Sequence, residues 1–210
     1  DTNVISNTDA MTSLTLSTTG GTSTSGNVVV GTIADIDSLT SITVSGNGGN
    51  VTSEAFGGTG TGEVLATIDV DAINGSTILL AAITADTTDS PSSQTENALT
   101  FTIDVDSTSD VTMADINNQY GAVTGTIAGA GTTDFTTGTS TIAGEAVTLT
   151  LSGSGAKNID EIDPSGNVSI TSTNSGAVAI TDLQAAGATK TVTIDASGAS
   201  GAHTINADHT

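Results

Sequence analysis

Residues 99–105 have the sequence Leu-Thr-Phe-Thr-Ile-Asp-Val, in which apolar and polar residues alternate strictly. Successive side chains of a β-strand point to opposite faces, so this alternation predicts a strand with one buried and one solvated face. The same alternation occurs over residues 147–151, Val-Thr-Leu-Thr-Leu. Shorter runs of this kind, mostly followed by Gly, Asn or Ser, lie at residues 14–16, 39–44, 65–70, 168–170 and 192–194. Because Gly, Asn and Ser are turn residues, we predict an all-β chain of short strands.

The composition favours strands in the same way. About a fifth of the 210 residues is Thr, and most of the large apolar residues are Val and Ile. These β-branched side chains are stiff at χ1 and suit a pleated surface. Good helix formers are scarce, and no stretch keeps a helical apolar periodicity beyond about two turns. We therefore expect very little helix.

Four segments share a pattern in which an apolar residue, any residue, an acid and a second apolar residue precede a short strand. They are residues 33–36, 113–116, 159–162 and 180–183. Self-similar units at irregular spacing are typical of a solenoid whose coils carry loop insertions. The sequence predicts an irregular β-solenoid, similar to a parallel β-helix, in which each coil buries only small β-branched side chains.

A second architecture accounts for the same strands. Short strands separated by turn residues also predict one or two antiparallel β-sandwich domains. Pro91 and its polar neighbours predict a loop or domain boundary at residues 91–97. This boundary divides the chain into two β-rich repeat segments, residues 1–90 and 98–210.

The charge of the chain excludes several classes of partner. There are 23 acidic residues but only two basic ones, Lys157 and Lys190, which gives a formal charge of −21. Nucleic-acid binding requires Lys and Arg to displace counterions, and anionic membrane surfaces would also repel this chain. No apolar run approaches the length of a membrane span, so we expect no direct membrane insertion. The excess of acids instead makes a cation the natural partner. Cysteine is absent, so disulfides and thiolate metal sites are excluded, and oxygen atoms would have to bind the cation.

Two stretches near the end of the chain resemble a known family. They are residues 166–180, Gly-Asn-Val-Ser-Ile-Thr-Ser-Thr-Asn-Ser-Gly-Ala-Val-Ala-Ile, and residues 191–201, Thr-Val-Thr-Ile-Asp-Ala-Ser-Gly-Ala-Ser-Gly. Their strand and Asp-Ala-Ser-x-x-x-Gly pattern resembles the calcium-rich β-solenoid repeats of Gram-negative surface-layer (S-layer) proteins and related type I-secreted adhesins. The resemblance is strongest over residues 140–210. It implies secretion to the bacterial cell surface, calcium-dependent ordering and lattice formation, although the Gly-Gly-x-Gly-x-Asp nonapeptide of calcium rolls is missing.

Paired acids are the candidate metal ligands. Residues 67–71 and 102–106 contain the same Thr-Ile-Asp-Val-Asp sequence. Positions i and i+2 of a strand share a face, so Asp69 with Asp71, and Asp104 with Asp106, each present two carboxylates about 7 Å apart. Calcium takes six to eight oxygen ligands and could bridge such a pair to a neighbouring loop or subunit. Further candidates are Asp35, Asp37, Asp110, Asp160, Glu161 and Asp163. A solvated acidic face without a bound ion is the alternative for each pair.

The sequence gives no support for catalysis. A polysaccharide-cleaving site could use paired acids, but such sites also need aromatic platforms and Arg or Lys clamps, whereas this chain has one Tyr, three Phe and no Trp or Arg. His203 and His209 could hold a transition metal, but we expect them to lie in a solvated end of the chain. We predict that the protein is not an enzyme.

Three functions fit these observations. The first is a structural cell-surface protein that self-assembles into an S-layer or adhesin lattice through calcium-bridged β-rich faces, with copies of itself as partners. The second is a fibre or pilus subunit, in which residues 4–16 complete the sheet of a neighbour by strand addition. The third is a module that binds cell-surface polysaccharide or ice. It would require a regular array of Thr-x-Thr, and we expect the Thr spacing to be too irregular for one.

Overall fold

The computed structural model describes residues 10–20, 26–33, 38–57, 64–86, 97–137, 140–185 and 190–208. These residues form strands and contain no helix, so none of them lies in a helix that could span a membrane. The expectation of very little helix is confirmed.

The strands are short and follow one another closely along the chain. In chain order they are β1 (Ser13–Ser17), β2 (Val28–Val30), β3 (Ser41–Asn47), β4 (Val51–Ser53), β5 (Thr67–Ile73), β6 (Thr77–Leu80), β7 (Ile83–Asp86), β8 (Leu99–Val105), β9 (Asp110–Met113), β10 (Ile116–Asn118), β11 (Val123–Gly129), β12 (Thr132–Phe135), β13 (Thr141–Gly144), β14 (Val147–Leu151), β15 (Lys157–Pro164), β16 (Val168–Ser172), β17 (Val178–Gln184), β18 (Val192–Asp195) and β19 (His203–Asp208).

Every strand pair formed by the described residues is parallel. The first sheet has the order β1-β3-β5-β8-β11-β14-β16-β18, and the strands between these in sequence form the second sheet. The chain therefore winds through both sheets in about seven turns, as a β-solenoid. Antiparallel sandwiches join neighbouring strands by hairpins, which a parallel ladder excludes, so the sandwich alternative is wrong.

The second sheet bends along its length, which gives each coil a corner. Strand β12 pairs with the first half of β15, and β13 pairs with its second half. The bend lies near Asp160, between these two pairings. The predicted boundary at residues 91–97 lies almost entirely outside the described residues, and strands β5 and β8 on its two sides pair directly.

The apolar-x-acid-apolar segments lie at this corner. Ile159 pairs with Ile180 and Ile162 with Leu183, so two of the segments stack position by position. The segment at residues 33–36 is an exception. Ile33 joins the ladder that runs through Phe56 and Ile83 to Ile116, so it matches the second apolar residue of the pattern. Its predicted alignment is wrong by three residues, and residues 34–37 lie outside the described residues.

The core is a set of columns in which equivalent side chains stack from coil to coil. One inward column of the first sheet contains Ile42, Ile68, Phe101, Gly125, Leu149 and Ile170. The large ring of Phe101 lies directly beside the glycine in this column, and a Cβ atom at Gly125 would lie 2.1 Å from Cζ of Phe101. Phe101 also contacts Phe135 across the core, with ring centroids 6.2 Å apart. Gly125 thus provides the space that Phe101 fills.

We expect Gly125→Ala to lower the free energy of unfolding by about 1–3 kcal/mol, because the added methyl group overpacks the core against Phe101. Phe101→Leu should relieve this clash, so the double variant should lose less stability than the sum of the single variants. Urea denaturation of the four proteins measures this coupling. Gly57→Ala is the control, because its Cβ would meet Thr84 at an ordinary 3.6 Å. Additive losses would contradict the packing role of Gly125.

Candidate functional site

The outer side of the first sheet carries two adjacent columns of polar side chains, which we call the hydroxyl face. The first column contains Ser13, Ser41, Thr67, Thr100, Thr124, Thr148, Ser169 and Thr193, and the second contains Thr15, Thr43, Asp69, Thr102, Thr126, Thr150, Thr171 and Asp195. All of these side chains bear a hydroxyl group except those of Asp69 and Asp195. Equivalent positions pair directly from strand to strand.

The hydroxyl face is regular although the sequence spacing is not. Neighbouring parallel strands lie about 4.8 Å apart, and positions i and i+2 of one strand lie about 6.6 Å apart. The connections between the strands differ in length, and they absorb the variation without disturbing the ladder. The expectation that the Thr spacing is too irregular for a Thr-x-Thr array is therefore wrong.

The hydroxyl groups of this face are largely free of protein partners. Thr67 donates from its hydroxyl to the carbonyl oxygen of Thr40 at 3.4 Å, and Asp195 accepts from the backbone nitrogen of Ser197. Among the described residues, the other side chains of the hydroxyl face have no hydrogen-bond partner in the protein. Their donors and acceptors point to solvent or to a ligand.

The second sheet gives a reference for comparison. Its equivalent outer column contains Val29, Thr52, Leu79, Thr112, Asp134, Asn158, Ala179 and Thr204. Val29 and Leu79 are exposed, at 71% and 41%. Both outer faces meet solvent and both belong to parallel strands, so strand propensity alone does not explain why hydroxyl groups dominate one face only.

Acidic residues gather beside the hydroxyl face. The identical stretches at residues 67–71 and 102–106 do not pair position by position: Ile68 pairs with Phe101, and Asp71 pairs with Asp104. This displacement of two residues keeps each side chain on its own face. It brings Asp71 and Asp104 side by side on adjacent strands, with Asp69 on the same face of β5. We call Asp69, Asp71 and Asp104 the acidic patch.

The acidic patch is electrostatically unfavourable. The pKa of Asp71 is raised, first by partial burial and then by repulsion from Asp104, Asp69 and Asp106. A like charge nearby disfavours the ionised form of a carboxyl group, and a bound cation would favour it.

Asp106, which was predicted to pair with Asp104, has a different role. Its carboxylate accepts hydrogen bonds from the backbone nitrogens of Asn74 at 2.7 Å and Thr108 at 2.9 Å. These bonds, led by the one from Asn74, lower the pKa of Asp106 to about 2. Asn74 has a positive φ of 58°, so Asp106 stabilises a turn in the preceding coil whose backbone is otherwise unfavourable.

A buried cation lies close to the acidic patch. Lys157 is fully buried, and its Nζ donates to the carbonyl oxygens of Gly129 and Gly131 at 3.2 Å each. Burial lowers the pKa of Lys157, and attraction to Asp104 opposes this. The burial of Lys157 was not predicted from the sequence. The signal was present, since Lys157 alternates with Ile159 and so shares its inward face.

The remaining predicted ligands lie elsewhere. Asp110 is exposed on β9 in the second sheet. Asp160, Glu161 and Asp163 lie on β15, where Glu161 accepts hydrogen bonds from Thr141 and Gln184. Asp35 and Asp37 lie outside the described residues. Within the described ranges, no group of three or more His, Asp or Glu side chains is arranged to hold a metal ion.

Asp163 lines a shallow groove on the corner side of the second sheet. The groove has a volume of about 400 Å³, and its other lining residues are Thr84, Asp115, Asn117, Thr141 and Ala143. Asp115 accepts a hydrogen bond from the backbone nitrogen of Thr141 at 2.9 Å. The groove is therefore polar, and some of its polar groups already form hydrogen bonds within the protein.

His203 does not lie in a solvated end of the chain as expected. It belongs to β19, where Nε2 lies 2.7 Å from the hydroxyl of Ser172 and Nδ1 lies 2.8 Å from the carbonyl oxygen of Gly201. Since a carbonyl only accepts, Nδ1 carries a proton, and in the neutral imidazole Ser172 then donates to Nε2. Ser172 is buried, and Nδ1 of His203 faces the carbonyl oxygen of Gly201 where a catalytic triad has a carboxylate. The hydrogen bond between Ser172 and His203 therefore links β16 and β19 in the last coils. His209 lies outside the described residues.

Comparison with known proteins gives no match among protein-family models, curated proteins or solved structures.

Asp106→Asn should lower the free energy of unfolding at pH 7 by about 1 kcal/mol, because it removes the charge that strengthens the hydrogen bonds from Asn74 and Thr108. The effect is small because solvent screens the charge. The folded pKa of about 2 lies below the ordinary 3.8, so this stabilisation is present above pH 3.8 and is lost as the pH falls through about 2. Denaturation at several pH values should show the difference between wild type and variant shrinking over that window. Asp163→Asn is the control, and a difference independent of pH would contradict the role of the carboxylate.

Proposed function

We propose that the chain is a structural, non-enzymatic segment of a secreted bacterial cell-surface protein, which assembles with copies of itself into an S-layer or adhesin lattice through calcium-bridged faces. The observation that carries this proposal is the acidic patch, where Asp71 and Asp104 are register neighbours. The S-layer-like stretches at residues 166–180 and 191–201 support it independently.

The acidic patch favours a cation that is shared between molecules. The backbones of adjacent parallel strands lie about 5 Å apart, so the paired Asp71 and Asp104 are near enough to share one ion. The three carboxylates of one chain are not arranged to hold a metal ion by themselves, so a second copy would supply the remaining oxygen ligands. The pKa of Asp71 is raised, first by burial and then by the neighbouring carboxylates, so a bound cation would favour its ionised form.

The net charge of the chain gives calcium a second role. Copies that each carry a formal charge of −21 repel one another, and monovalent salt only screens this repulsion. A divalent ion bound at the contact both neutralises the local charge and links the two surfaces. Assembly should therefore depend on calcium more than on ionic strength.

The alternative of strand addition has less support. Strand β1 pairs in parallel with β3 of the same chain over Ser13 to Ser17. One edge of β1 is therefore used within its own sheet, and residues 13–16 could be donated to a neighbour as a separate strand only by breaking this pairing.

The purified chain should form large ordered assemblies in millimolar calcium and return to small species on chelation. Asp71→Asn/Asp104→Asn should abolish this response, because the variant loses the paired carboxylates. Asp110→Asn/Asp163→Asn makes the same change of charge away from the patch and should still assemble. Sedimentation velocity and negative-stain microscopy on the same samples measure both properties.

Two results would contradict this proposal. A wild-type chain that stays monomeric in calcium would overturn calcium-dependent assembly. Equal assembly by the two double variants would show that the acidic patch is not the calcium site.

A further inference from the structure

We propose that the hydroxyl face is an ice-binding surface. This inference goes beyond the proposed function and stands on separate observations: the two-dimensional regularity of the face, the free hydroxyl groups on it, and their absence as a pattern from the other outer face.

The geometry of the face indicates a periodic ligand. A small-molecule site is a concave pocket with a few convergent polar groups. The hydroxyl face instead presents two outward positions on each coil, about 4.8 Å apart between strands and about 6.6 Å along them. A surface that repeats in two directions is complementary to a solid that repeats in two directions.

The central part of the face has the most uniform chemistry. Strands β8, β11 and β14 present Thr at both outer positions: Thr100, Thr102, Thr124, Thr126, Thr148 and Thr150. Each hydroxyl donates one hydrogen bond and accepts two, as a water molecule in ice requires of its neighbours. The β-branched side chain is stiff at χ1, so the hydroxyl and methyl positions are ordered before binding and little entropy is lost.

The charge of the central block also favours a neutral ligand. The block contains no ionisable side chain. Asp69 and Asp195 lie on β5 and β18, and Asp104 flanks the block at the next outward position of β8. An ionic mineral or a polyanion would require charged groups to bind it. Ice is a neutral lattice of donors and acceptors, and the block offers both kinds of group.

The face lacks what polysaccharide binding requires. Sugar-binding surfaces stack aromatic rings on the sugar, but Phe56, Phe101 and Phe135 are all buried at 1% exposure or less. Tyr120 follows β10 on the second sheet and does not belong to the hydroxyl face. Polysaccharide is thus the weaker candidate for this surface, and the experiment distinguishes it from ice.

The test compares ice adsorption by matched Thr→Lys variants, with chelator present so that calcium-dependent assembly plays no part. Thr102→Lys/Thr126→Lys places bulky, hydrated cations in the second column and should abolish adsorption. Thr124→Lys/Thr148→Lys does the same in the first column. Thr112→Lys changes the outer column of the second sheet and should keep wild-type adsorption. The readouts are thermal hysteresis and the fraction of protein incorporated into a slowly grown ice hemisphere.

Circular dichroism and urea denaturation identify any variant that has lost its fold. Loss of adsorption in either folded double variant, with adsorption kept by wild type and Thr112→Lys, supports the proposal. A wild-type chain that neither shows hysteresis nor enters ice overturns it, as does adsorption that persists in both double variants or is lost in Thr112→Lys. Depletion of wild type by cellulose or chitin but not by ice also overturns it, in favour of polysaccharide. Because all samples contain chelator, none of these results depends on calcium-bridged assembly.

Discussion

The parallel, in-register pairing of successive coils is the constraint on which the rest of the structure depends. Each residue lies beside its equivalent in the next coil, so the chemistry of a position is multiplied along a whole column. Most inward columns are therefore apolar along their length, as Ile42, Ile68 and Leu149 illustrate. Outward columns are free of that requirement, and there the same pairing generates the hydroxyl face and brings Asp71 beside Asp104.

The sequence predicted the strands well because their signal is local. Alternation at residues 99–105 and 147–151 identifies β8 and β14 and the face that each buries. The choice between solenoid and sandwich is not local, because identical alternation serves parallel and antiparallel pairing. The repeated corner segments favoured the solenoid, which is confirmed. Aligning these segments by residue type alone misplaced Ile33 by three positions, because Ile33 lies in register with Ile116 and not with Met113.

The candidate site was less predictable because it depends on pairing between distant residues. Every Thr of the hydroxyl face could be assigned to a wet face, but its neighbours across the strands depend on where each connection ends. Near identity in sequence was misleading for the acids, since residues 67–71 and 102–106 pair with a displacement of two. Asp106 and Lys157 show the same limit: their partners, Asn74 and Gly129, belong to other coils.

The Phe101 and Gly125 pair has a consequence for the fidelity of folding. Strands rich in Thr, Val and Gly resemble one another, and a slip of two residues between coils would keep every side chain on its correct face. The alternation of apolar and polar residues therefore does not disfavour such a slip. The slip would, however, drive the Phe101 ring into a side chain other than glycine, at a site that cannot expand. The large side chain of Phe101 and the absence of one at Gly125 thereby fix the register between β8 and β11 in an otherwise repetitive chain.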